Sequence, residues 1–200
     1  MTTNIVLAGV GGQGILSIAN VIGIAALKDN LFLKQAEVHG MSQRGGDVQS
    51  NLRISDKPIA SDLIPFGCAD IIISLEPMEA LRYLPYLNEN GWVVTNINPF
   101  VNIKNYPDMK EVMQELEKIE NLVALDMDNL AKQIGSPRSS NMVLLGASSP
   151  FLGLPIELIE ESIKKFFETK GEKIIELNLK SFSLGRESSL NYIKERKISL

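Results

Sequence analysis

The sequence predicts an α/β protein: a three-layer α/β/α sandwich built around a largely parallel or mixed sheet. Three observations carry that prediction. Short apolar, β-branched runs alternate with helix-like runs along most of the 200 residues, the pattern of a sheet covered by helices. The run "DIIISL" (Asp70–Leu75) is continuously apolar, as a strand buried on both faces must be. The first strand-like run ends in glycine, and a long apolar helix pattern begins within four residues. The length suits one domain, residues 1–200, with chain enough for a substantial core.

Each element follows from its own pattern. "NIVLAGV" (Asn4–Val10) is short, β-branched and ended by glycine, which reads as a buried strand. Residues 14–28 are apolar nearly all round, which predicts a helix buried against the sheet. "LFLKQAEV" is the second strand. "DVQSNLRIS" alternates, with Val48, Leu52 and Ile54 among polar neighbours, and is the third. After the fourth, "DIIISL", Pro77 sits at the first turn of a helix expected to run to about Asn90. "GWVVTN" and "NLVALD" supply two more strands around the helical "PDMKEVMQELEKIE", whose Met109, Val112, Met113 and Leu116 face the core. Pro155 opens the helix "PIELIEESIKKFFETK". A strand-like "EKIIELN" then precedes a last polar helix.

Composition narrows the function. Apolar content of 44% and charged content of 22% describe an ordinary globular protein. A net charge of −4 without a Lys/Arg cluster argues against nucleic acid as a partner. The longest apolar stretch, "GILSIANVIGIAAL", is too short to span a bilayer, and "MTTNIVL" does not read as a secretion signal. The expectation is a cytoplasmic protein with no membrane contact. Cys68 is the sole cysteine, so this chain alone can close no disulfide and hold no four-thiolate iron–sulfur cluster or structural zinc. A half-buried, inert thiol is expected there.

The chemistry-bearing motifs lie at strand ends. "GVGGQG" satisfies G-x-G-x-x-G, with Gly9, Gly11, Gly12 and Gly14 around Gln13 between the first strand and the first helix. Such glycines let bare backbone N–H groups approach a phosphate, and they also let a helix pack close to a strand. Both readings stand on sequence alone. A dinucleotide site would want an acidic residue ending the second strand, and Glu37 is near that place. It is followed, however, by "VHGMSQRGG", a glycine-rich loop foreign to an ordinary Rossmann half. Arg44 followed by Gly45 and Gly46 places a forked cation beside backbone N–H groups, suited to a carboxylate or phosphate. His39, Ser42 and Gln43 add hydrogen-bonding groups. Glu76, at the end of the fourth strand, reads as a loop organiser or interface acceptor. Glu79 and Arg82 are spaced to pair on one helix, and Asp126 with Asp128 lacks a third metal ligand.

Taken together, "GVGGQG", "EVHGMSQRGGDVQSNLRIS" and "ADIIISLEPMEALRYL", continuing through "NMVLLGA" and "ELNLKSFSLGRE", resemble the gamma-type domain of 2-oxoacid:ferredoxin oxidoreductases, a Rossmann-like fold. The wording "HGMSQRGG" is most similar to the small (beta) subunit of the indolepyruvate branch; pyruvate and 2-oxoglutarate branches have a differently worded loop. The resemblance implies a division of labour. A large (alpha) partner subunit carries thiamine diphosphate and the iron–sulfur clusters. The complex decarboxylates an aryl 2-oxoacid, reduces ferredoxin and releases an aryl acyl-CoA. On this expectation the chain binds no cofactor alone and carries no catalytic residue. Its glycine turn (Gly9, Gly11, Gly12, Gln13, Gly14) lies near coenzyme A at the interface, and His39, Ser42, Gln43, Arg44, Gly45, Gly46 and Glu76 face substrate or partner. The competing readings are a gamma subunit of the pyruvate or 2-oxoglutarate branch, and a free-standing nucleotide-binding module or NAD(P)-dependent reductase resting on the glycine turn and Glu37.

Overall fold

The computed structural model describes residues 1–39, 45–101 and 103–198. Among them six strands form one sheet: β1 (Thr2–Val10), β2 (Phe32–His39), β3 (Asp47–Ser55), β4 (Ala69–Ser74), β5 (Leu87–Asn96) and β6 (Leu122–Leu125). Their spatial order is β2-β3-β1-β4-β5-β6. β1, β4, β5 and β6 run parallel, while β3 is antiparallel to both β1 and β2. The sheet is therefore mixed. Because β3 runs backwards, the carboxyl ends of β1, β2, β4, β5 and β6 and the amino end of β3 share one edge.

The helices are α1 (Ile15–Lys28), α2 (Pro77–Arg82), α3 (Met109–Leu116), α4 (Met127–Gln133), α5 (Ser140–Ser148), α6 (Ile156–Phe167) and α7 (Glu172–Arg196). Strand alternation sorts them into two layers. Ile5, Leu7, Ile71, Ile73, Val94 and Val123 pack with α1, α4, α5, α6 and α7; Val6, Ala8, Ile72, Val93 and Leu122 pack with α2 and α3. Ile71, Ile72 and Ile73 are all fully buried, the two-sided burial that the "DIIISL" run demands. Each such side chain stabilises the fold by roughly 1.5–3 kcal/mol relative to exposure. The expected core stripe on α3 is present: Val112 and Leu116 are buried, with Met109 and Met113 packed partly against them.

Three expectations need correction. The helix opened by Pro77 ends at Arg82, and β5 has begun by Leu87. Pro85 lacks an N–H and crowds the helical conformation of the residue before it, so the chain passes through one tighter turn instead. "EKIIELN" is not a strand but the start of α7, a single 25-residue helix. Its buried residues Asn178, Ser181, Phe182, Gly185, Ser189 and Ile193 recur every three or four positions, yet most are small or polar, so the apolar periodicity that would announce the helix is weak. Cys68 is exposed, not half-buried, because it ends the turn that leads into β4 at the opposite edge of the sheet.

The small residues on α7 serve a close crossing. A Cβ added to Gly146 on α5 would lie 1.9 Å from the Phe182 carbonyl oxygen, and one added to Gly185 would lie 1.9 Å from that of Val143. Two bare helix backbones thus touch, and this contact fixes where α5 begins, beside the motif-bearing edge.

Candidate functional site

The motif residues that the structure describes gather at the carboxyl edge of the parallel strands. β1 ends at Val10, and the chain turns through Gly11–Gly14 before α1 starts. Gly12 and Gly14 have φ of 105° and 88°, a region that side-chain-bearing residues rarely adopt. Gly14 is also crowded, since a Cβ there would sit 2.8 Å from the Asn141 amide nitrogen on α5. The glycine motif therefore packs the turn tightly at Gly14 and leaves open space at Gly12.

Gln13 is the brace of this turn. Its Oε1 accepts from the Val10 N–H at 2.7 Å, and its Nε2 donates to the Leu75 carbonyl at 3.2 Å. Both ends of the amide are engaged with backbone, one from β1 and one from the end of β4. Glutamine fits because a carboxylate could not donate to Leu75.

The second glycine pair docks on the first. Gly11 N–H donates to the Gly46 carbonyl at 2.8 Å, and Gly45 N–H donates to the Gly11 carbonyl at 3.3 Å. These bonds prolong the β1–β3 ladder past the Val10↔Asp47 pair. Asp47, next in sequence, accepts from the Tyr83 hydroxyl at 2.8 Å, so α2 pins the point where the loop re-enters the sheet. Burial, followed by the bond to Asp47, raises the Tyr83 pKa well above the ordinary phenol value. His39 closes β2, paired in register with Val48. Ser42, Gln43 and Arg44 lie outside the described residues.

Glu76 is only 1% exposed and organises two elements. One oxygen accepts from the Glu79 N–H at 2.8 Å, capping α2. The other accepts from the Tyr106 hydroxyl and from the Phe100 N–H at 3.4 Å, which ties the stretch between β5 and α3 to the end of β4. Burial, then the bond to Glu76, raises the Tyr106 pKa. Glu79 and Arg82 pair as expected, at 2.7 and 3.2 Å. The carboxylate is buried, however, and that burial raises its pKa despite the guanidinium.

Two hollows border the turn. One of about 360 Å³ lies against Val10, Gly11, Gly12, Gly14, Ile15 and Val48. Another of about 380 Å³ lies between Gly12, Gln13 and Leu75 on one side and Asn96, Phe100, Asp128, Arg138 and Ser140 on the other. Asn96, 2% exposed, accepts from the Met127 N–H at 3.1 Å and so fixes α4 to β5. Asp126 caps α4 by accepting from the Asn129 N–H at 2.8 Å. Asn96, Arg138, Asn141, Tyr83 and Tyr106 were not singled out from sequence. Only the asparagines and Arg138 carry any local signal, as polar residues just after a strand or just before a helix. A further hollow, about 710 Å³, lies at the opposite edge against Gly67, Asp70, Asn88 and Trp92 and collects none of the candidate site residues.

This topology has a switch point. From β1 the chain crosses to β2 on one side, and from β4 it proceeds to β5 on the other, so the crevice between β1 and β4 opens between Gly11–Gly14 and Leu75–Glu76. Open α/β sheets hold ligands at such a crevice. The dinucleotide reading of Glu37 fails on the same topology. Its strand is separated from β1 by β3, roughly 10 Å away at two strand spacings, and its carboxylate accepts from Gln35. Among the described residues no group of three or more His, Cys, Asp or Glu could hold a metal ion, and no helix is long and apolar enough to cross a membrane.

Comparison with known proteins agrees with this fold. Residues 4–188 match the family model described as pyruvate ferredoxin/flavodoxin oxidoreductase. The chain is 38% identical to "Indolepyruvate oxidoreductase subunit IorB" of Archaeoglobus fulgidus, covering 96% of this chain and 97% of the relative. It is 40% identical to the protein of the same name in Pyrococcus horikoshii, covering 91% and 93%. Among solved structures, 2-oxoglutarate:ferredoxin oxidoreductase from Magnetococcus marinus, with 2-oxoglutarate, coenzyme A and succinyl-CoA bound, shares the fold with a TM-score of 0.75 at 23% identity. The match covers 95% of this chain but only 31% of that one, a much longer polypeptide.

Proposed function

This chain belongs to the pyruvate ferredoxin/flavodoxin oxidoreductase family, and from that premise we propose that it is the small subunit of an indolepyruvate ferredoxin oxidoreductase. In that role it supports oxidative decarboxylation of arylpyruvates to aryl acyl-CoA, with electrons passed to ferredoxin. The reading draws on two near-full-length relatives named as indolepyruvate oxidoreductase subunits. The structural observation that carries it is the convergence of the glycine turn, the Gly45-Gly46 segment and Glu76 on one sheet edge beside two open hollows.

The donor set of the chain does not fit an iron–sulfur cluster, because its single cysteine stands exposed at the other edge of the sheet. Iron–sulfur chemistry is therefore assigned to a large companion subunit, to which this reading also gives thiamine diphosphate. What this chain supplies is shape and polarity. Gly12, Arg138 and Ser140, together with Asp128, line a hollow in which Arg138 is the residue suited to an anionic group. Phosphates of coenzyme A, entering as a substrate between the subunits, are the group that this reading places there.

Anaerobic co-expression with the large subunit tests the assignment through arylpyruvate-dependent ferredoxin reduction. Activity should require both chains, and coenzyme A should be consumed in step with electrons. Turnover of an arylpyruvate by this chain alone, or full activity of the large subunit without it, would overturn the proposal.

A further inference from the structure

Strand β3 carries two side chains whose polar ends find no partner. Gln49 and Asn51 are 8% and 3% exposed, and Gln49 Nε2 and Asn51 Oδ1 are buried without a hydrogen bond among the described residues. Standing two apart on one strand, they share a face, the one that packs with α2 and α3. Asn51 is in register with Val6 and Gln49 with Ala8, and those two residues share an apolar cluster with Ile64, Ala80 and Tyr83. On the other side the register neighbours are Ala36 and Val38. Neither row offers a donor or an acceptor side chain. The polar column continues at both ends with residues that are satisfied. Asp47 accepts from Tyr83, while Arg53 donates to Asn4 and to the Ser61 and Leu63 carbonyls, which ties the segment between β3 and β4 to this face. Buried polar groups are costly without partners and are almost always given one, so a pair lacking them in the middle of a bonded column points to a ligand.

We propose that Gln49 and Asn51 bind one internal water molecule, held between their two amides. Three features select water. The unpaired atoms are one donor and one acceptor, so a metal ion or a halide could satisfy only one of them, whereas water both accepts and donates. Both atoms are buried among apolar neighbours, so a larger ligand would have to displace the side chains that cover them. The spacing also fits: residues two apart on a strand are separated by about 7 Å, a gap that one water closes with a bond of about 3 Å to each amide. An alanine stands beside each amide, Ala8 next to Gln49 and Ala36 next to Asn51, where a longer side chain would take the volume of a water. Internal waters are held in this way, by buried groups that the protein leaves unpaired. The site belongs to this chain alone and does not depend on its reading as a subunit.

The test uses the full chain. A high-resolution crystal structure should show a water within about 3 Å of both amides. In solution, the side-chain amide protons of Gln49 should give water cross-peaks of opposite sign in laboratory-frame and rotating-frame NMR spectra, the mark of a long-lived bound water. Those cross-peaks should vanish in Asn51→Leu, which removes one of the two partners. Stability supplies a second sign. With a bridging water, Asn51→Leu strands the Gln49 amide and lowers the melting temperature, while Asn51→Leu combined with Gln49→Met replaces both polar groups with apolar ones and recovers most of that loss. Amides that bond directly to each other, a peak that refines as an ion or a larger molecule, missing water cross-peaks in the wild-type chain, or an Asn51→Leu variant more stable than wild type would each overturn the proposal. The two wild-type measurements decide it even if a variant does not fold.

Discussion

The crossing of α5 and α7 offers a substitution whose sign separates local from tertiary control. Gly146→Ala places a methyl 1.9 Å from the Phe182 carbonyl oxygen. A carbon–oxygen contact settles at about 3.3 Å, so the helices must part by roughly 1.4 Å from the 1.9 Å starting point. Helix propensity alone would favour alanine by about 1 kcal/mol. Opposing it, overpacking of a dense interior costs about 1–3 kcal/mol or more, and here the obstacle is backbone that cannot rotate aside. A net destabilisation of about 1–2 kcal/mol follows from the upper part of that range. Gly185→Ala meets Val143 across the same crossing, so the double variant should cost less than the two singles added, because one separation relieves both clashes. Urea unfolding midpoints measure all three. A single variant more stable than wild type would show that the helices part freely and that the crossing does not fix α5. The functional corollary is that Asn141 and Ser140, at the start of α5, would shift against Gly14 and the adjoining hollow.

Two further expectations concern the strand edge. Replacing Gln13 with alanine removes the acceptor for the nearly buried Val10 N–H and the donor to Leu75; an unsatisfied buried amide costs about 1–3 kcal/mol, so the denaturation midpoint should fall, and an unchanged midpoint would refute the bracing role. Glu79 has a native pKa raised above the ordinary glutamate value of 4.5, first by burial. A carboxyl raised on folding binds more protons in the native state, so its contribution to stability falls as pH rises from 4.5 through the native pKa and recovers as pH falls. The stability of wild type relative to Glu79→Gln should therefore improve as pH is lowered from about 7 to about 5. Unfolding curves showing the opposite slope would place Arg82, not burial, in control.

What the sequence disclosed and what it hid divide along a physical line. Signals written in a few adjacent residues were legible. Unbroken apolar runs marked the central strands, and glycines at a strand–helix junction marked a turn with φ of 105° and 88°. Glu76 at a strand end proved to be a loop organiser. Signals that exist only after folding were not legible. Nothing in "NINPFVNIKNYPDM" says that Tyr106 reaches back 30 residues to Glu76, and nothing near Gly11 says that Gly45 and Gly46 will extend its ladder. The misreading of "EKIIELN" has the same origin. A helix that buries serines and a glycine against another backbone loses the apolar period by which helices are recognised, because close approach, not side-chain hydrophobicity, is what that face was selected to provide. The site obeys the same logic. Its polar residues are spread over β1, α2, the stretch after β5, and the start of α5, so it is the topology, with its crevice between β1 and β4, that gathers weak local signals into one edge. If that edge is where a companion chain completes the chemistry, charge reversal at Arg138 should lower coenzyme A affinity in the assembled complex without loosening the complex itself. Loss of assembly would instead make Arg138 part of the docking surface.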